Sequence, residues 1–169
     1  VYKIGSVSKQ FVATGIMLLV QDGKLRLDDP VSKFLEGTPP SWNRITIRHL
    51  LTHTSGIVRE APGYDWTAQP DASVVKSAYP VALRFQPGEK WEYSNVPYFA
   101  LAEVIRQLSG QAWDEYLIEK VFTPLGMNDT HFRPDQALRD RIAPTEVSSP
   151  RGYPVRGEVH DENAWALGG

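Results

Sequence analysis

Residues 4–20 read IGSVSKQFVATGIMLLV, with a serine and a lysine three positions apart at the entrance to a long apolar run. A helix over roughly 6–22 would carry Val7, Phe11 and Leu18 along one side and Val12, Ile16 and Leu19 along another. Ala13, Met17 and Val20 would cover much of the rest, so the pattern predicts a helix apolar nearly all round, and hence a central one. Gly23 and the turn-prone LDDP at 27–30 close it. Ser6 and Lys9 fall one turn apart on a shared face of its first turn. A lysine placed there is partly desolvated, and burying an ammonium is expensive unless something uses it. The start of a helix also presents unpaired N–H groups and a positive dipole end, which favour the anion formed when a serine hydroxyl attacks a carbonyl. Ser6 is therefore a candidate nucleophile, with Lys9 as the group that takes its proton. The competing reading makes Ser6 an ordinary N-cap and Lys9 a surface residue whose stem lies along the apolar face.

Spacing alone is a weak discriminator. A chain of this length should hold about 0.6 S-x-x-K pairs by chance, and this one holds a second, Ser73 and Lys76 in DASVVKSAYP at 71–80. That pair sits on a short, half-polar helix with Asp71 available as a cap and water within reach of the lysine, so it reads as decoration. A more informative partner is the tripeptide Tyr93-Ser94-Asn95 just before Pro97. A phenol, a hydroxyl and an amide on a loop entering a helix offer a proton shuttle and a rigid carbonyl binder, or else simply a capped helix entry.

Composition narrows the partners. Eighteen Lys and Arg stand against 20 Asp and Glu, a formal charge of −2, and no basic cluster of the kind that holds phosphates is visible, so nucleic acid is not an expected partner. With no cysteine, disulfides, thiolate metal sites and a cysteine nucleophile are excluded. No apolar run reaches the ~18 residues of a membrane span. The chain starts at Val1, so the lack of a visible signal peptide carries no information. VYKI at 1–4 reads as the end of a strand and WALGG at 165–169 as a helix stop. Residues 1–169 are accordingly expected to be a single partial catalytic domain of a longer protein.

Further elements follow from local signals. Val31–Leu35 can form one or two turns. In ITIRHLLTHTSG at 45–56, Thr46 caps a helix with Ile47, Leu50 and Leu51 on one face, ended by Gly56. A loop over 57–70 precedes a helix over roughly 72–79. RFQPGEKWEYSN at 84–95 is a small hairpin or an extended loop around Pro87-Gly88. PYFALAEVIRQLSG at 97–110 and AWDEYLIEKVFTPLGM at 112–127 read as two amphipathic helices. Residues 129–158 have weak periodicity, and no repeat is present.

The motifs SVSK at 6–9 and YSN at 93–95, with HLLTHTSGI at 49–57 and VHDENAWALGG at 159–169, resemble the serine β-lactamase and penicillin-binding protein superfamily. The likeness is nearest to its class C β-lactamase, D-alanyl-D-alanine carboxypeptidase and esterase branch, and runs from Ile4 to the last residue. It implies an α+β fold of the serine β-lactamase/transpeptidase type, with the mostly helical part present and most of the antiparallel sheet absent from residues 1–169. It implies Ser6 as the acylated serine, Lys9 as the motif lysine, Tyr93 as the tyrosine of the second motif and Asn95 as its amide, which would orient the substrate carbonyl or tether Lys9. Two bases are open: a neutral Lys9, or a Tyr93 phenolate favoured by a charged Lys9. The implied substrates are small molecules or peptidoglycan-like peptides, with no cofactor and no metal, in a periplasmic or secreted setting. The family's third motif, Lys-or-His-Thr-Gly on a strand edging the site, has no counterpart here: THTSG at 52–56 precedes the tyrosine motif and lies at a helix end. That strand and the second oxyanion donor it supplies are expected beyond Gly169, so residues 1–169 alone are expected to be inactive.

Other classes fare less well. A penicillin-recognising sensor that acylates without turnover uses the same residues. A metal hydrolase could use His49 and His53 at i, i+4, but the pair lacks the glutamate of H-E-x-x-H and reads better as packing or capping. No G-x-S-x-G is present for an α/β-hydrolase. The aromatic residues Tyr64 and Trp66 suggest that the loop over 57–69 walls the substrate cleft.

Overall fold

The computed structural model describes residues 2–62, 71–132 and 136–144. The apolar run after Lys9 forms helix α1, Ser8–Gln21, preceded by a 3-10 turn, Gly5–Val7. Thr46 accepts the N–H of His49 on its side chain while the His49 ring accepts the N–H of Thr46. This reciprocal cap starts α2, Ile47–Leu51. Helix α3 is Asp71–Ser77, α4 is Val96–Ser109 and α5 is Trp113–Leu117. Pro97 in the first turn and left-handed Gly110 at the end bound α4, as its sequence predicts.

Among the described residues the most enclosed helix is α4. Every residue from Val96 to Ile105 is buried, because α1, α2, α3 and α5 all pack against it. On α1 the stripe Val12, Ile16 and Leu19 is fully buried, while Met17, and Val7 in the turn before it, are nearly half exposed. Among the described residues its neighbours α4 and α5 cover one side of it. At Gly15 the helices meet closely: a Cβ there would lie 2.9 Å from Ile105 Cδ1 and 3.1 Å from a Leu117 methyl. Each fully buried Leu, Ile, Val or Phe side chain of this core contributes about 1.5–3 kcal/mol.

Three expectations are corrected in detail. Tyr2–Ile4 form no strand, and among the described residues β pairing is confined to an isolated antiparallel bridge between Pro30 and Thr46. The stretch 112–127 is not one amphipathic helix: α5 gives way to a π-helical turn, Ile118–Phe122, closed by the Thr123 N–H on the Ile118 carbonyl. The wider turn keeps Val121 and Phe122 on the buried side, with Phe122 edge-on to Phe11 at 5.1 Å. Helix α2 ends at Leu51, before Gly56, and the chain leaves it through His53 in the left-handed region (φ 57°).

Residues 84–95 form an extended loop and not a hairpin. It is tied to the exit of α2 by Arg84 N–H on the Gly56 carbonyl, Gly88 N–H on that of Thr54 and Glu92 N–H on that of His53. Gly56 has φ +76°, and a Cβ there would sit 2.1 Å from the Phe85 carbonyl oxygen. Only glycine allows this crossing. The aromatic pair Tyr64 and Trp66 and the stretch VHDENAWALGG lie outside the described residues.

Candidate active site

The starts of α1 and α4 lie side by side, and this brings the two sequence motifs together across 87 positions. Ser6 is exposed in the 3-10 turn before α1, with its Oγ accepting a 2.7 Å hydrogen bond from the Tyr93 hydroxyl and a 3.1 Å bond from Lys9 Nζ. It does not serve as an N-cap: Val7 holds that position and makes no side-chain cap. Lys9 is 5 % exposed and does not reach along the surface toward solvent. Its Nζ lies 5.3 Å from the centre of the Tyr93 ring and 5.7 Å from that of Tyr98. Ring faces of this kind favour a charged ammonium.

Tyr93 is half-buried on the loop, and its hydroxyl faces the exposed serine. Its neighbours fasten it firmly. Ser94, 2 % exposed, donates its hydroxyl to the Val58 carbonyl at 2.8 Å and its N–H to His53 Nδ1 at 3.3 Å. The Asn95 N–H reaches the Arg59 carbonyl. The Asn95 amide does not tether Lys9; it donates to Glu60 Oε1 at 2.9 Å, which leaves its oxygen and a second N–H for other partners. Arg59 sets its guanidinium 5.8 Å from the Tyr93 ring centre and approaches Glu60 at 3.7 Å.

The two histidines at i, i+4 take up separate tasks. The His49 ring belongs to the α2 cap. The His53 ring lies against Tyr93 and Tyr98, with centroid distances of 4.7 and 5.1 Å. Burial pushes His53 below its ordinary value, and the charge of Lys9 adds to this. Burial likewise lowers His49 and raises the Tyr98 phenol. The second S-x-x-K pair, Ser73 and Lys76, is exposed on α3, away from Ser6 and Tyr93.

Sequence reasoning missed Glu60, Tyr98 and the service of His53 to the tyrosine loop. All three act across 35 or more positions of chain, a range on which helical spacing is silent. What the cluster can do chemically is nevertheless plain. An exposed hydroxyl, a phenol within proton-transfer distance of it and a buried cation form the outline of an activated nucleophile.

Comparison with known proteins bears on the family and the fold. The family model described as Beta-lactamase matches residues 1–169. Penicillin-binding protein 4 of Amycolatopsis lactamdurans is 35% identical over 170 residues, covering 95% of this chain and 44% of that protein. Among solved structures, the beta-lactamase/D-alanine carboxypeptidase of Yersinia pestis superposes with a TM-score of 0.80 at 27% identity, over 99% of this chain and 48% of that one. The D-amino acid amidase of Ochrobactrum anthropi gives a TM-score of 0.67 at 29% identity, over 75% and 36%. The chain spans less than half the length of the curated relatives it matches.

Proposed function

Because the chain belongs to the beta-lactamase family, we propose that it carries the nucleophile and the proton-transfer groups of a serine hydrolase working through a covalent acyl-serine. The observation that carries this reading is the convergence on one oxygen, with Ser6 Oγ 2.7 Å from the Tyr93 hydroxyl and 3.1 Å from Lys9 Nζ. Tyr93 is the proton acceptor: in its phenolate form it takes the Ser6 proton as Oγ bonds to the carbonyl carbon of a lactam, a D-alanyl-D-alanine peptide or an ester. Lys9 stays charged between its two aromatic faces and balances the phenolate. The tetrahedral oxyanion is held by the Ser6 N–H and by a second donor from a strand outside residues 1–169, an arrangement whose loss of one member costs ~10²–10³ in rate.

Collapse of that intermediate breaks the bond to the leaving nitrogen or oxygen, which takes the proton back from Tyr93. The acyl group then rests on Ser6. Water adds to the ester carbonyl as Tyr93 takes its proton; the tetrahedral intermediate then collapses with cleavage of the acyl–Oγ bond, Ser6 Oγ taking that proton back from Tyr93 as the carboxylic acid leaves. Asn95, fixed by Glu60, offers its remaining amide groups to the substrate. The reading is tested by treating the full-length protein with a labelled penicillin and mapping the adduct by mass spectrometry. Label at Ser6, abolished in Ser6→Ala, is the expected result. Label elsewhere, or undiminished label in the variant, overturns it. Continued hydrolysis of an ester or cephalosporin marks an enzyme, and a single stoichiometric burst marks a penicillin-binding sensor.

A further inference from the structure

We propose that His53 is a positioning residue for this chemistry, its neutral imidazole holding the Tyr93–Asn95 segment over Ser6 and releasing it on protonation. The inference rests on the acyl-serine reading and adds to it the group that fixes the proton acceptor in place.

Three independent contacts converge on this residue. The Ser94 N–H donates to His53 Nδ1 at 3.3 Å, the ring packs at 4.7 Å against Tyr93 and 5.1 Å against Tyr98, and the His53 carbonyl accepts the Glu92 N–H at 2.9 Å. One residue thus binds the backbone on both sides of Tyr93 and the face of Tyr93 itself. The first contact requires Nδ1 to be a bare acceptor, which places the ring proton on Nε2. Ser94 is 2 % exposed, so its N–H has no water to turn to when that acceptor is lost. Protonation at Nδ1 would set two donors against each other in a buried place and push the loop away from Ser6. The charged and titratable groups facing the ring are Lys9 from α1, Tyr93 from the loop and Tyr98 from α4. Burial and the Lys9 charge both favour the neutral ring, so the device is set for activity at neutral pH and disarms in acid. His53 also occupies a left-handed backbone position that most side chains avoid.

The test compares the full-length parent with His53→Asn and His53→Phe. Asparagine tolerates the left-handed backbone and puts an acceptor oxygen near the place of Nδ1, but does not titrate; phenylalanine keeps the ring and loses the acceptor. Acylation of Ser6 by a fluorescent penicillin is followed from about pH 8 to about pH 5, and the Ser94 amide is followed over the same range by NMR. The parent rate is expected to fall below the ordinary histidine value of 6.5, with the Ser94 amide signal moving in the same step. His53→Asn should acylate within about threefold of the parent at the plateau and lose that acid step. His53→Phe should be slower by about tenfold or more at every pH. An unchanged acid step in His53→Asn, or a parent-like rate in His53→Phe, overturns the proposal. Should the phenylalanine variant not fold, the asparagine variant decides alone. Should the parent take no label at Ser6, the acyl-serine reading fails by itself. The NMR titration then decides the His53 link: a Ser94 amide tracking the histidine supports it, and one indifferent to it refutes it.

Discussion

Replacing Tyr93 with phenylalanine removes a single oxygen and separates the chemistry from the scaffold. The lost atom donates the 2.7 Å bond to Ser6 Oγ. What remains is the ring that packs on His53 at 4.7 Å and faces Lys9 at 5.3 Å. A proton acceptor in the transition state contributes about 10²–10⁴ in rate, or about 3–5 kcal/mol at 1.36 kcal/mol per tenfold. Folding should hardly notice, because Ser6 is exposed and water can replace the lost donor; a change within about 0.5 kcal/mol is expected. The assay is the pseudo-first-order rate of Ser6 labelling by a fluorescent penicillin in the full-length protein, beside urea unfolding of parent and variant. A folded variant that acylates within tenfold of the parent would refute the assignment of Tyr93 and return the proton to Lys9.

Two further expectations concern the scaffold. Gly56→Ala must hold φ +76° with a methyl 2.1 Å from the Phe85 carbonyl oxygen. With ~1–2 kcal/mol for the left-handed backbone and ~1–3 for moving the neighbour, chemical denaturation should show a loss of about 2–5 kcal/mol. Unfolding free energy should also fall in acid, in two stages. His49 and His53 have folded values below the ordinary 6.5, so the unfolded chain binds protons first, and stability complete above that value declines as pH falls below it. For Glu103, burial raises the carboxyl, but its hydrogen bonds to Arg106 and Gln107 outweigh this and leave it below 4.5. Its contribution is present above that pH and is lost as pH falls through the folded value. Denaturation midpoints that stay constant from about pH 7 to about pH 3 would contradict both stages.

What could be read from residues alone was whatever local rules govern. The Thr46 cap, the Pro97 and Gly110 limits of α4 and the Ser6–Lys9 juxtaposition each depend on neighbours within four positions, and each is found in the structure. The enclosure of α4 was not legible, because it depends on which of the described helices pack around it. The π turn at Ile118 was not legible either; it accompanies the contact of Phe122 with Phe11, more than a hundred residues earlier in the chain. At the site, the structure brings Ser6, Lys9 and Tyr93 of the family resemblance together, but how the tyrosine loop is fastened was not legible. That Ser94 would lean on His53, and Asn95 on Glu60, rather than on Lys9, follows from the path of the chain after α2.

Gly15 marks where α1 is fitted to its neighbours by a side chain it lacks. It sits in the shaft of α1, two to three turns from Ser6, about 13 Å at the rise of a helix, and its bare backbone rests against Ile105 and Leu117. Both atoms nearest an added carbon are the ends of flexible side chains, Ile105 Cδ1 at 2.9 Å and a Leu117 methyl at 3.1 Å, so a methyl there would be met by turning those chains aside, at a cost in packing. The seam joining α1 to two other helices is thus keyed to a notch at a place that touches no reactant.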